Sequence, residues 1–157
     1  MGFVPLHNHS DYSLLDGASQ ISKIVDRASD LGMDSIALTD HGVMYGVLDL
    51  VKKCKEKGIK PIIGNEMYVI NGSIDDPQPK KEKRYHLVVL AKNYIGYKNI
   101  IELSSKSYLE NVSLNDPHCK FEDLLHFKEG IIILSGSINS LSGNLFNKGL
   151  LLSLIHI

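Results

Sequence analysis

Of the seven histidines in this chain of 157 residues, four fall where an apolar run ends or begins, a placement open to metal coordination or, for any pair taken alone, to plain polar residues at a strand end. His7 and His9 flank Asn8 directly after the run Phe3 to Leu6. Along an extended backbone a two-residue period turns both imidazoles to one face, where a cation fits between them. The next imidazole comes with Thr39-Asp40-His41-Gly42, after Ile36-Ala37-Leu38, and Gly42 lets the backbone turn there. Asp40 reads equally well as a turn or N-cap acceptor and as a metal contact. Glu66 lies inside an otherwise apolar run, where an unpaired carboxylate is costly, so it requires a cation, a proton or a donor beside it. A carboxylate bridging metal ions meets that requirement, and a salt-bridged strand residue is the plainer alternative. Asp16, before Gly17, is either an ordinary turn residue or a carboxylate folded back over the same rim. His86 opens the fourth expected strand, which in a strictly parallel sheet puts it at the opposite end from the others.

No serine or cysteine stands in elbow or triad spacing. Imidazoles and carboxylates gathered without a nucleophile suit metal-assisted hydrolysis. Clustered divalent ions polarise a phosphoryl oxygen, bring the pKa of a bound water to about 7 and stabilise the leaving oxygen. Phosphate esters are the expected substrates, with His7, His9, His41 and Glu66 as the candidate catalytic residues. His118, His126 and His156 read as structural or incidental, although His118-Cys119 is a weak rival pair.

The elements that must position these groups alternate between strand and helix. After Phe3 to Leu6, the spacing of Ile21, Ile24, Val25, Ala28 and Leu31 predicts a helix stopped at Gly32. Strand Ile36 to Thr39 and a helix through Val47, Leu48, Val51 and Cys54, ending at Gly58, repeat the unit. A third strand, Pro61 to Ile70, puts Glu66, Tyr68 and Ile70 on one side and Met67 and Val69 on the other. Asn71 to Arg84 reads as a polar loop with no helical signal. Strand Leu87 to Ala91, a helix from Tyr94 to Leu109, a short helix at Phe121 to Phe127, strand Ile131 to Leu134 and a helical piece at Leu141 to Phe146 complete the order. Such alternation predicts an α/β fold with a parallel sheet. The first turn carries no glycine-rich phosphate fingerprint, which favours a barrel over an open doubly wound sheet. Parallel barrels close at about eight strands, so five predict an incomplete one and a chain that is part of something longer.

Composition limits the rest. With 17 basic and 18 acidic residues, the net charge of -1 supplies no global field for holding DNA, so any contact with nucleic acid is local. Cys54 and Cys119 form no C-x-x-C pair and no secretory leader is legible, so a reducing cytoplasm is expected. The apolar run Leu150 to Ile157 is too short to cross a bilayer, which takes about 20 residues, and no membrane partner is expected.

The spelling of these segments resembles a known family. His7-Asn8-His9-Ser10-Asp11-Tyr12-Ser13-Leu14-Leu15-Asp16-Gly17, Thr39-Asp40-His41-Gly42, Gly64-Asn65-Glu66-Met67-Tyr68, His86 to Asn93 with Gly96-Tyr97, and Ile133-Leu134-Ser135-Gly136 follow one another in the order of the polymerase and histidinol phosphatase (PHP) domain that opens bacterial DNA polymerase III alpha subunits. The resemblance covers Phe3 to Gly149. It implies a truncated domain over residues 1–149, built as a distorted (β/α)7 barrel, with a tail of different character at 150–157. It further implies up to three zinc or manganese ions held by His7, His9, Asp16, His41, Glu66 and His86, with Glu66 bridging two of them. Metal-competent members are similar to 3′-5′ exonucleases, whereas degenerate ones support the polymerase or dock a proofreading subunit. The parent protein implied is a DNA-directed DNA polymerase working on DNA among replisome subunits, its polymerase site using magnesium and absent from this chain. Two other readings stand beside it: a free-standing phosphatase acting on a small phosphomonoester such as histidinol phosphate, and a catalytically silent scaffold. Ser137 departs from the pattern, standing where relatives often carry a cysteine ligand, and a neutral hydroxyl binds zinc poorly.

Overall fold

The computed structural model describes residues 2–70, 84–110, 117–136, 140 and 142–143. Helix α1 (Ile21–Asp30) places Ile21, Val25 and Ala28 on one buried stripe, as their spacing predicts, and packs on α2 (Val47–Lys57), which buries Val47, Leu50 and Cys54 and stops at Gly58. Strand β1 (Ser35–Leu38) lies under both helices, and Ile36 and Leu38 complete this first core with Ile59. A second core joins Met67 and Val69 of β2 (Lys60–Ile70), Leu87 and Val89 of β3 (Tyr85–Ala91), and Ile100 and Leu103 of α3 (Tyr94–Leu109). The Asn93 side chain caps α3 by accepting from the Gly96 N–H at 3.0 Å. Cys119 of the two-residue β4 (Cys119–Lys120) and Leu124 of α4 (Phe121–His126) close this core from the side, and β5 (Ile131–Leu134) lies beyond β3.

The sheet runs in the order β1-β2-β3-β5, with β4 paired to β2. It is mixed, which corrects the expectation of parallel strands. Among the described strands the β1/β2 and β2/β4 pairs are parallel, and β3 is antiparallel to both β2 and β5. Parallel neighbours need a crossover, usually a helix, whereas the residues between β2 and β3 read as a polar loop, so the chain returns in the opposite direction. That loop, 71–83, lies outside the described residues, as do Ser137, most of the expected helix at 141–146 and the tail at 150–157.

The expected first strand is also not a regular one. Residues 3–8 run beside β1 and are tied to it by Ala37 N–H donating to Pro5 O at 3.1 Å and Thr39 N–H donating to Asn8 O at 2.8 Å. Pro5 has no N–H to return, so the ladder is thinned at its middle. The Asn8 amide replaces part of it by donating to Ala37 O at 3.0 Å.

Candidate metal centre

Glu66 is the hub, and its surroundings follow from the alternation of β2. Met67 and Val69 face the second core, which leaves Glu66 and Tyr68 on the opposite face. The segment after β1 continues alongside β2: Glu66 N–H donates to Asp40 O and Gly42 N–H donates to Glu66 O, each at 3.0 Å. This bridge sets His41 directly beside Glu66. Because β3 runs antiparallel to β2, the start of β3 lies at the rim where β2 ends, and His86 pairs with Tyr68. The objection raised by a parallel sheet therefore disappears, and His86 Nδ1 lies 3.0 Å from Glu66 Oε1.

The N-terminal segment supplies the other side. His7 Nε2 and His9 Nε2 each lie 2.6 Å from Glu66 Oε2, and they are 3.1 Å from one another. His9 turns its other nitrogen to Asp16 Oδ2 at 2.6 Å, and His41 Nε2 reaches the same oxygen at 2.8 Å. His7, His9, Asp16, His41, Glu66 and His86 thus converge, in three overlapping triads whose candidate ligand atoms lie within 4.8 Å of one another: His7, His9 and Glu66; His9, Asp16 and His41; His41, Glu66 and His86. Neither His118 nor His126 enters a triad.

Asp40 stays out of this cluster. It is buried, and its carboxylate accepts from Ser10 N at 2.6 Å, Ser10 Oγ at 2.8 Å and Ser13 Oγ at 2.7 Å. Of its two sequence readings, acceptor or metal contact, the geometry realises the acceptor. Ser10 and Ser13 carried no signal in the sequence that set them apart from other loop serines. Tyr68 was placed on the face of Glu66 by the alternation, but nothing marked it as a neighbour of the cluster. Its ring stacks on His41 at 5.9 Å between centroids and meets His86 edge-on at 4.8 Å, with the Arg84 guanidinium 5.2 Å from its centre.

The electrostatics show what the donors lack. Burial pushes the Glu66 carboxyl upward, yet hydrogen bonds from His86, His9 and His7 and the charge of His41 outweigh it and hold the group far below the usual carboxylate range. The hydrogen bond to Glu66 raises His9 above its ordinary 6.5; burial opposes this and Asp16 adds to it. Asp16 is lowered by its hydrogen bonds to His41 and then His9. One nitrogen is left over: His41 Nδ1 is buried without a hydrogen-bond partner, 3.6 Å from Glu66 Oε2. That separation is too long for a hydrogen bond. Lone pairs aimed at carboxylate oxygens repel unless a proton or a cation lies between them. Four imidazoles with two carboxylates are donors that zinc and manganese accept, so the residues present fit divalent ions.

An α/β fold that turns six such donors onto one rim of a five-stranded sheet defines a domain of the metal-site class. The chain belongs to the PHP domain family, whose model matches residues 5–149. It is 45% identical over 141 residues to the DNA polymerase III subunit alpha of Borreliella burgdorferi and 48% identical over 140 residues to that of Treponema pallidum, in each case across 88% of this chain. It spans 12% of the length of each of these relatives. Among solved structures it is similar to an amidohydrolase from Chromobacterium violaceum, with a TM-score of 0.46 and 24% identity, over 66% of this chain and 34% of that one.

Proposed function

We propose that this PHP domain is a metal-dependent phosphoesterase within a DNA polymerase III alpha subunit, where it removes nucleotides from DNA 3′ ends. The observation that supports this is the convergence of six donors from four separate segments, with Glu66 facing four of the other five. His7 and His9 face Glu66 Oε2 and His86 faces Oε1, so this carboxylate and these imidazoles are the residues that would hold divalent ions. Bound there, zinc or manganese ions supply Lewis acidity and an activated water. The protein's own part is to neutralise, orient and exclude. Glu66 offsets cationic charge, Tyr68 fixes the rotation of the His41 and His86 rings, and the second core keeps water from behind the site. Nucleotide transfer by the parent polymerase, with magnesium, DNA and replisome partners in the cytoplasm, belongs to the same proposal. Among the described residues no helix is long and apolar enough to cross a membrane.

The test is to incubate the chain with Mn²⁺ or Zn²⁺ and either a 5′-labelled single-stranded oligonucleotide or histidinol phosphate. Stepwise shortening of the oligonucleotide, stopped by chelation, is the expected result. Hydrolysis of the monoester alone points to a free-standing type of phosphatase, and no hydrolysis by a metal-loaded chain points to a scaffold.

Metal affinity carries a pH signature. A cation must displace the proton that His9 holds up to a raised pKa, so affinity is constant above that value and falls as pH drops through it. Titration calorimetry with Zn²⁺ between pH 8 and pH 5.5 is expected to show about tenfold weaker binding per pH unit for each proton displaced, on the acid side only.

A further inference from the structure

Within the proposed metal centre the donors do not stand on equal footing. Glu66 and His86 project from paired strands, and His41 follows a strand end bridged to Glu66. Asp16 sits on a loop, with its side chain about half exposed, next to Leu15 in a left-handed conformation at φ 68°. Gly17 closes this loop so tightly that a Cβ there meets Ser10 O at 1.8 Å.

What holds the loop is a directed chain of hydrogen bonds. The His41 N–H donates to Ser13 Oγ at 3.1 Å, and Ser13 Oγ donates to Asp40 Oδ1 at 2.7 Å. On the other side Tyr12 N–H donates to Ser10 Oγ at 3.2 Å, and Ser10 Oγ donates to Asp40 Oδ2 at 2.8 Å. Ser10 N–H adds a third donor to Asp40 at 2.6 Å. Asp40, Ser10 and Ser13 are all buried to within 1% exposure, so water does not replace a lost partner cheaply.

We infer that Asp40 is a positioning residue that latches the Ser10 to Gly17 loop onto the His41 segment and thereby sets the occupancy of the single metal position that includes Asp16, independently of the positions built on Glu66. The inference deepens the metal-centre reading and rests on it. A weakened latch releases one ion and leaves the others.

The experiment compares the full chain with Asp40→Ala, Ser13→Ala and Asp40→Asn. Zn²⁺ titration and metal counting by mass spectrometry are run beside Co²⁺ absorption spectra, which report each coordination sphere separately. In Asp40→Ala and Ser13→Ala one position weakens by about 10- to 100-fold, the range for loss of an outer-shell partner, while the remaining positions keep their affinity. Asp40→Asn keeps an oxygen for Ser10 N–H, asks only a hydroxyl to rotate, and restores the lost position. Full wild-type stoichiometry and affinity in Ser13→Ala overturn the latch, and so does simultaneous loss of every ion in that variant. Hydrogen exchange of the metal-free chain gives an independent reading: the amides of Ser10 and His41 exchange at least about tenfold faster in Ser13→Ala while those of α3 are unchanged. Unchanged exchange at His41 rejects the latch. If wild type binds no metal, the ligand reading fails, and the exchange result still decides the latch.

Discussion

Glu66→Gln removes the ability of the chain to hold divalent ions at the two positions built on Glu66, with the apparent affinity for Zn²⁺ there falling by more than about 100-fold, the upper limit seen when only an outer-shell partner is lost. The size of the effect follows from how much depends on this one group. Its two oxygens face His7, His9 and His86 at 2.6 to 3.0 Å and His41 at 3.6 Å, and it enters two of the three donor triads. The amide keeps the volume, so the fold is retained. It loses the charge that would offset bound cations, and it brings an N–H toward imidazole nitrogens that need an acceptor. Equilibrium dialysis followed by metal counting checks this, with circular dichroism confirming that the variant is folded. A Glu66→Gln chain that keeps its full complement of metal places the ions elsewhere.

Gly96→Ala is expected to be the most damaging small substitution outside the site. A Cβ at Gly96 meets Gly130 O at 1.7 Å and Gly130 C at 2.4 Å, and both atoms belong to backbone that does not swing aside. The contact joins the first turn of α3 to the turn that begins β5, where Lys92 N–H also donates to Gly130 O at 2.8 Å. The helix must lift from the sheet or the turn must open, and either uncovers the second core, which contains the fully buried Ile100 and Leu103. The expected loss is about 3 kcal/mol, toward the top of the overpacking range. Urea denaturation checks it: the midpoint drops with the slope unchanged. A shift corresponding to less than about 0.5 kcal/mol, the scale of ordinary surface substitutions, contradicts the close approach.

The sequence carried some features and hid others for definite reasons. His7, His9, His41 and Glu66 were legible because imidazoles at the ends of apolar runs, and a carboxylate inside one, violate the ordinary segregation of polar from apolar groups. Strand positions were legible as well: β5 runs from Ile131 to Leu134 as read, and β3 begins two residues before the expected Leu87. Strand direction was not legible. A period of two reports which face a side chain takes and is identical for both directions, so the antiparallel return of β3, and with it the place of His86 in the cluster, came only with the pairing of Tyr68 with His86. The same limit applies to Asp40. An Asp before a histidine is compatible with ligand and latch alike, and the choice depends on Ser10 and Ser13, 30 and 27 residues earlier. At Phe3 to Leu6 the apolar run was visible, but the missing donor of Pro5 outweighed it and left an extended segment in place of a regular strand.

The most direct test of the central claim is an anomalous difference map from crystals of the chain soaked in Zn²⁺. The account predicts peaks on both sides of Glu66, one among His7, His9 and Oε2 and one among His41, His86 and Oε1, each about 2.0–2.2 Å from its ligand atoms. A map with no peak at Glu66, or with its strongest peak at His118 and Cys119, contradicts it.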